Sequence, residues 1–358
     1  MNESPSQSCA PTQAPAISMP IDAMVDLLNR HCVLTDAEVD AIVLWLIASY
    51  SINSFRIFPK LSLISPEKRC GKTTTMEVIQ SLSKEGVLVS SISQAALYRI
   101  TEQLQPTLLI DEADMFVSNG SQELVGFLNS SHNKSGSTVV RCVGDDYQAK
   151  PFSTWMPMVL ASIGALPDTI MDRSIVINLR RKKPHEQTVH LPVDLKNMQS
   201  SIRDALEAWS LKNEPAIASA IASVPALGND RAEDNWIPLF AIAETIGKDW
   251  PRRCEAAARA LTKPALPELP TLLLAGIREL FDKENVSRIS SKQLVDELCK
   301  DETGPWLECN NGRKLSQNQV AELLRSYGVS PMNIRFEQGV ARGYKLEDFA
   351  DAFERYLP

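Results

Sequence analysis

Apolar runs alternate with amphipathic stretches along the first half of the chain, and the two patterns predict strands that alternate with helices. The apolar runs are short and continuous, which is typical of strands buried on both faces of a parallel sheet. We assign strands to residues 61–65, 87–90, 107–114, 156–163 and 174–179, and helices to residues 35–50, 73–82, 93–104 and 122–130. This alternation predicts an α/β fold with a parallel five-stranded sheet.

The pattern becomes helical after Pro184, with Trp236 and Trp250 inside two helical runs. A cluster of prolines at 264, 267 and 270 then marks a boundary. We predict four segments: a disordered tail at 1–19, an α/β core with N-terminal helices at 20–183, a helical lid at 184–265 and a further module at 266–358.

The last segment resembles a small winged-helix module. Serines precede predicted helices at 292–300 and 317–327, and residues 332–345 alternate like a two-stranded wing. Asn318, Gln319 and Arg325 would let the second helix enter a DNA major groove. Glu322 lies on the same helix, so binding to a protein remains the alternative.

Composition restricts the function classes. The chain has 358 residues, 44% hydrophobic and 23% charged, as in ordinary globular proteins. The longest apolar candidate, at 43–48, is too short to span a membrane, so we expect no membrane association. Seven scattered cysteines without C-x-x-C spacing indicate free thiols in a reducing cytoplasm. The net charge of −7 requires any nucleic-acid contact to be local.

A nucleotide-phosphate loop is the strongest chemical signal. The run 65–73 leads from an apolar strand into a turn that closes on Gly71, Lys72 and Thr73 as a helix begins. Backbone N–H groups and the helix N-terminus would cradle phosphates, with Lys72 on the β- and γ-phosphates and Thr73 on Mg²⁺. Pro66 stands where the pattern has its first glycine. The predicted ATP-binding residues are Glu67, Lys68, Arg69, Cys70, Gly71, Lys72, Thr73 and Thr74.

A second signal follows about forty residues later. The strand 107–114 ends in Asp111, Glu112 and Asp114, at the carboxyl edge where ligands collect in an open α/β sheet. Asp111 would hold Mg²⁺ through water, and Glu112 would polarise the attacking water. Ordinary surface acids are the alternative for an isolated pair, but together with the loop this pattern predicts an ATPase core.

These motifs resemble the AAA+ ATPases, and within them a domain family of uncharacterised function common on phages and mobile elements. The resemblance runs from Ser65 to about Trp250, and the stretches 342–344 and 348–356 also look like the tail of that family. The motifs that carry it lie at 65–73, 109–114, 161–164, 172–177 and 230–236.

The resemblance implies roles for three further residues. Ser162 matches a polar sensor that places the hydrolytic water, Arg173 an arginine finger acting on a neighbouring subunit, and Arg231 a lid arginine that touches the γ-phosphate in cis or trans. Structural roles are the alternatives: a hydroxyl bound to backbone for Ser162, a helix end for Arg173, and an ion pair with nearby acids for Arg231. A trans-acting arginine implies a ring or spiral, typically of six copies.

Residues 138–152 predict a β-hairpin that resembles the pore hairpins of superfamily-three and minichromosome-maintenance helicases. Arg141 and Lys150 are the candidate DNA contacts, whereas the tip, Asp145-Asp146, is acidic. Packing between subunits is the alternative role.

Two function hypotheses follow. The first is an ATP-hydrolysing, ring-forming motor that unwinds or remodels DNA for a mobile element. The second is an oligomeric ATP-dependent switch that recruits or regulates a partner protein, such as a defence effector or recombinase, without unwinding.

Overall fold

The computed structural model describes residues 18–90, 92–118, 122–143, 148–220, 224–262, 269–301, 304–309, 313–337 and 339–357. The chain forms two compact units, residues 1–264 and 265–358, and each is described by itself.

A five-stranded, all-parallel sheet forms the centre of the first unit. Its strands are β1 (Lys60–Ser65), β2 (Val87–Val89), β3 (Leu108–Ile110), β6 (Met158–Ile163) and β7 (Ser174–Asn178), in the order β2-β3-β6-β1-β7. In this register Leu61 of β1 lies opposite Val159 on one side and Ile175 on the other. The predicted α/β class and the parallel five-stranded sheet are therefore confirmed.

Helices cover both faces of this sheet. They are α1 (Ser18–His31), α2 (Asp36–Tyr50), α3 (Lys72–Leu82), α4 (Gln94–Leu104), α5 (Ala113–Ser118), α6 (Gln122–Ser130), α7 (Asp168–Met171), α8 (Leu195–Met198), α9 (Ser200–Ser219), α10 (Asp230–Ile246) and α11 (Trp250–Leu261). Because strand side chains alternate between faces, Leu109 and Val159 join one core cluster, and Leu108 and Met158 join the other.

The strand patterns predicted the positions of these elements within a few residues. The capping box at Thr35 and Glu38 is present at the start of α2, and Ser93 caps α4. The acidic strand is shorter than the predicted 107–114, because α5 begins at Ala113. Helix α1 begins at Ser18, inside the tail predicted at 1–19, and residues 1–17 lie outside the described residues.

The segment predicted as a lid shares the core of the sheet. Helices α9, α10 and α11 contribute Leu206, Trp236 and Cys254 to the same buried cluster as α2 and β1. The Arg253 guanidinium also donates to the Asp40 carboxylate on α2, with 3.0 Å between Nε and Oδ2. The predicted range 184–265 thus contributes to the core of the first unit.

An antiparallel hairpin joins α6 to β6. Its strands are β4 (Thr138–Val143) and β5 (Gln148–Ser153), with Arg141 opposite Lys150. The predicted acidic tip at residues 145 and 146 lies outside the described residues.

The second unit combines helices with a small antiparallel sheet. Its elements are α12 (Leu269–Glu284), β8 (Arg288–Ser290), α13 (Ser291–Leu298), α14 (Gln317–Arg325), β9 (Met332–Phe336), β10 (Gly339–Lys345) and α15 (Ala350–Tyr356), with sheet order β8-β10-β9. The sequence pattern did not predict β8, because three residues are too few to show the alternation of polar and apolar positions that is typical of a strand. Leu274, Leu294 and Tyr344 belong to its core. Across all described residues, no helix combines the length and apolar character needed to cross a membrane.

Candidate functional site

The predicted phosphate loop connects β1 directly to α3 at the carboxyl edge of the sheet. Gly71 precedes the helix with φ +80°, a left-handed conformation that glycine adopts without a Cβ clash. Arg69 is the other left-handed residue of the loop, with φ +68°. Pro66 is not among the residues with positive φ, so its fixed negative φ is compatible with the loop.

Lys72 and Thr73 are the first two residues of α3, directly after the loop. The Lys72 ammonium and the Thr73 hydroxyl have no hydrogen-bond or ion-pair partner among the described residues, and Thr73 is exposed. Thr75 instead donates its hydroxyl to the Gly71 carbonyl at 3.0 Å, which stabilises the first turn of α3. Cys70 is buried in the core and fills space beneath the loop.

Asp111 and Glu112 follow β3 at the same edge of the sheet. The Asp111 carboxylate accepts the Glu112 backbone N–H at 2.9 Å, and Glu112 has φ +54°, an unusual conformation for a residue with a side chain. Such strain is retained where the surrounding structure requires it, often at functional sites. Asp114 accepts the Ile163 N–H at 3.4 Å, so it ties the acidic segment to the end of β6.

Strand β6 lies between β1 and β3, and it brings Ser162 to the same edge. Ser162 is fully buried, and its hydroxyl donates to the Gly164 carbonyl at 2.8 Å. In this structure the hydroxyl is therefore engaged by backbone, as the structural alternative for Ser162 supposed. Its sensor role stays a prediction.

Arg173 and Arg231 lie at the opposite edge of the sheet. The Arg173 carbonyl accepts the backbone N–H of Lys60, the first residue of β1. Six residues of strand, about 17 Å at ~3.3 Å per residue, separate that edge from the loop. Arg231 is near Arg173, since its Nε lies 3.8 Å from the Asp172 carboxylate. This ion pair uses Asp172 rather than the acids beside Arg231 in sequence.

Both arginines therefore lie about one length of β1 from the loop of their own chain, and their roles stay predictions. Burial, and next the charge of Arg231, lower the pKa of Arg173, while Asp172 raises it. The guanidinium of Arg173 donates to the Thr169 carbonyl at 2.6 Å, which holds it at the end of α7.

A basic residue beside the loop was not among the predicted site residues. Arg181 follows β7, and its Nη1 lies 3.4 Å from the Glu67 carboxylate of the loop. Both side chains are more than half exposed, so this ion pair contributes little stability. The basic run 180–183 was the only sequence signal, and strand ends of this kind are usually just solvated.

Helix α4 holds both predicted DNA contacts of the hairpin. The Arg141 guanidinium donates to the Tyr98 hydroxyl at 3.0 Å, and its Cζ lies 5.2 Å from the centre of the Tyr98 ring. The Lys150 ammonium forms a 2.6 Å ion pair with Glu102. Both cations therefore have partners within the first unit.

The donor set at the loop fits Mg²⁺ held mainly by a nucleotide. The described residues contain no group of three or more His, Cys, Asp or Glu side chains arranged to hold a metal ion. Mg²⁺ commonly uses one or two protein oxygens together with substrate phosphates and water. Thr73 and Asp111 supply such oxygens at one edge of the sheet.

The fold and this edge define a mixed α/β protein with a five-stranded parallel sheet and a glycine-containing loop between its first strand and the next helix. Residues 178–356, half of the chain, match the family described as a protein of unknown function, DUF3631. The chain belongs to this family. The match includes the predicted motif at 230–236 and the C-terminal stretches, and it begins after the loop and the acidic strand.

Other comparisons give more distant likenesses. The chain is 31% identical over 164 residues to an "uncharacterized 28.9 kDa protein in xis 5′region" of Saccharopolyspora erythraea, spanning 44% of this chain and 60% of that protein. The A-form apo structure of the NrS-1 C-terminal region is 13% identical, with TM-score 0.42 and coverage of 91% and 75% of the two chains. The active helicase SCCmec type IV Cch is 11% identical, with TM-score 0.44 and coverage of 93% and 70%.

Proposed function

We propose that the protein is an ATP-hydrolysing AAA+ motor that acts on DNA for a mobile genetic element. The observation that carries the ATPase part is the grouping of three strand ends at one edge of the sheet. Lys72, which has no side-chain partner among the described residues, follows β1. The strained Glu112 follows β3, and Ser162 lies between them on β6. Lys72 would bind the terminal phosphates, Thr73 and Asp111 would hold Mg²⁺, and Glu112 would take a proton from the attacking water.

Arg173 supports an active species built from several copies, which we propose to be a hexameric ring or spiral. The Arg173 backbone lies beside the start of β1, about 17 Å of strand at ~3.3 Å per residue from the loop at its other end, which supports action on the γ-phosphate of a neighbouring copy. Arg231, beside it, would act at the same interface. A positive charge placed there stabilises the transition state for phosphoryl transfer.

The second unit supports the DNA part of the proposal. The order of its elements and its sheet fit a winged-helix module, with β9 and β10 as the wing. A groove of about 810 Å³ beside the wing is lined by Arg288, Lys292 and Arg342, against one acid, Glu337. Local positive charge of this kind binds a phosphate backbone although the whole chain is acidic. The xis-region relative supports the link to a mobile element.

One observation favours the alternative, an oligomeric switch that regulates a partner protein without unwinding. Arg141 and Lys150 are engaged by Tyr98 and Glu102 of α4, so the hairpin packs against its own unit. A hairpin held in this way serves the assembly of subunits as well as it would serve DNA.

The ATPase assignment is tested by two substitutions at opposite ends of the site. Lys72→Ala should abolish tight ATP binding, whereas Glu112→Gln should keep binding and lose turnover. Normal hydrolysis by Glu112→Gln would make the assignment of the catalytic base wrong, with Asp114 the next candidate.

A mixing experiment tests the shared site. Arg173→Ala and Glu112→Gln subunits should each be inactive alone, and mixing them should restore partial hydrolysis. In that mixture an intact Arg173 from one subunit completes an intact Glu112 in its neighbour. The proposed ring would be wrong if no mixing ratio restored hydrolysis and the protein had a monomeric mass in the presence of a slowly hydrolysed ATP analogue.

DNA stimulation separates the motor from the switch. The motor should hydrolyse ATP faster with DNA and unwind a forked duplex. The switch should do neither. Arg342→Ala should weaken DNA binding and reduce the dependence of affinity on salt, because one phosphate contact is lost.

A further inference from the structure

Three polar side chains are buried together beneath the start of β1 and β7. Lys60, His132 and Asn235 are only 2%, 4% and 4% exposed. Burying polar groups costs free energy unless hydrogen bonds replace those made to water. The contacts of this cluster therefore indicate what it holds in place.

The hydrogen bonds of His132 and Asn235 lead to the backbone of Asp172, the residue before Arg173. The His132 ring Nε2 lies 2.8 Å from the Asn235 side-chain oxygen, and the Asn235 amide donates to the Asp172 carbonyl at 3.0 Å. Since the Asn235 oxygen only accepts, the His132 Nε2 carries the proton and donates it. The imidazole thus orients the amide, and the amide holds the Asp172–Arg173 peptide.

The same peptide segment is held from a second side. The Lys60 backbone N–H donates to the Arg173 carbonyl at 3.0 Å. Consecutive carbonyls, those of Asp172 and Arg173, are therefore bound by two different elements, α10 and β1. The two peptide groups on either side of the Arg173 Cα are therefore both held by hydrogen bonds.

We propose that His132 and Asn235 are positioning residues that set the placement of the Arg173 guanidinium at the interface with a neighbouring copy. This proposal rests on the proposed function, in which Arg173 acts in trans. The bracket, as we call the His132–Asn235 pair, also joins the finger to α10, the helix that carries Arg231. A shift of α10 would therefore move both arginines together.

Placement matters because electrostatic catalysis depends on distance. A misplacement of about 1 Å can reduce a rate about 100-fold. Asn235→Ala removes both the acceptor for His132 and the donor to Asp172. We expect kcat to fall by at least tenfold and up to about 100-fold. The affinity for a slowly hydrolysed ATP analogue should not change. The affinity is spared because the bracket lies at the opposite edge of the sheet from the phosphate loop.

A matched control lies on helix α9. The Asn213 side-chain amide donates to the Trp209 carbonyl at 2.8 Å within that helix, so it has the same chemistry as Asn235 without a link to Asp172. Asn213→Ala should lower stability slightly, measured by thermal unfolding, while leaving kcat near that of the natural protein. His132→Ala should reproduce the loss of Asn235→Ala, and His132→Gln, whose amide can still donate to Asn235, should recover part of it.

The decisive experiment is mixing in the full-length protein. Asn235→Ala subunits keep their own Glu112, so adding Glu112→Gln subunits, which keep an intact bracket, should restore part of the hydrolysis. A purely structural defect inside the Asn235→Ala subunit would not be complemented. If Asn235→Ala does not fold, the His132→Ala and His132→Gln pair is used in the same mixture.

The outcomes are distinguishable. If Arg173→Ala loses turnover while Asn235→Ala and His132→Ala hydrolyse ATP normally, the positioning role of the bracket is wrong. The trans role of Arg173 would still stand. Loss of turnover in the bracket variants without recovery on mixing would also overturn the positioning role, provided that Arg173→Ala is complemented. Normal turnover in Arg173→Ala would overturn the trans finger and the bracket with it.

Discussion

Lys60 buries an amino group in surroundings that disfavour its charged form, and replacing it with methionine tests the cost of that burial. The side chain is 2% exposed, and its ammonium has no hydrogen-bond partner among the described residues. Burial, with a smaller contribution from Arg173, lowers the pKa of Lys60 from 10.5 to about 7. Methionine keeps a similar length and flexibility without the charge.

The size of the effect follows from this pKa. A depressed pKa means that the folded state binds fewer protons than the unfolded state between about pH 7 and pH 10.5, so stability rises with pH over that window. At ~1.4 kcal/mol per pKa unit, the penalty is about 4 kcal/mol at pH 7 and falls by about 2 kcal/mol by pH 9. Lys60→Met should remove both the penalty and its slope.

The assay is guanidinium unfolding at pH 7, 8 and 9, followed by tryptophan fluorescence, because five of the six tryptophans lie in the first unit. Lys60→Met should be more stable than the natural protein at pH 7, and the difference should shrink towards pH 9. Lys84→Met is the control, since Lys84 is half exposed and pairs with Glu207. Equal pH slopes in Lys60→Met and the natural protein, or a variant less stable at every pH, would refute the reasoning.

Three further predictions concern stability and domain organisation. Burial lowers the pKa of His132 from 6.5 to about 4, so stability should fall by about 3 kcal/mol as pH drops through that window, and His132→Gln should lack this loss in acid unfolding titrations. Asp40→Ala should cost about 3 kcal/mol in denaturant unfolding, because it leaves the Arg253 guanidinium, only 29% exposed, without its carboxylate. The surface variant Arg259→Ala on the same helix should cost under about 0.5 kcal/mol. Truncation after residue 264 should leave a folded, nucleotide-binding unit, and an insoluble product without nucleotide binding would contradict separate cores.

Local features of the site could be predicted because neighbouring residues determine them. The capping box at Thr35 needs only Glu38, three residues away, and the phosphate loop needs only a strand, a left-handed Gly71 and a helix start. The five apolar runs likewise predicted the parallel sheet, since burial on both faces leaves a continuous apolar pattern.

Other features were beyond sequence reasoning because they depend on which strand ends meet. Arg181 reaches Glu67 only because β7 lies beside β1 in the sheet. Arg141 and Lys150 looked available for DNA, and the packing of the hairpin on α4 engages both.

By itself, then, the sequence determined the strand–helix alternation, the turn at Gly71 between β1 and α3, and the acidic residues that follow β3, because each element depends on residues close together in the chain. Only the tertiary structure decided that Arg231 pairs with Asp172 and that His132 holds Asn235 across 103 positions of chain. The physical reason is that a buried hydrogen bond depends on where the chain folds back, and residue spacing along the sequence carries no record of that distance.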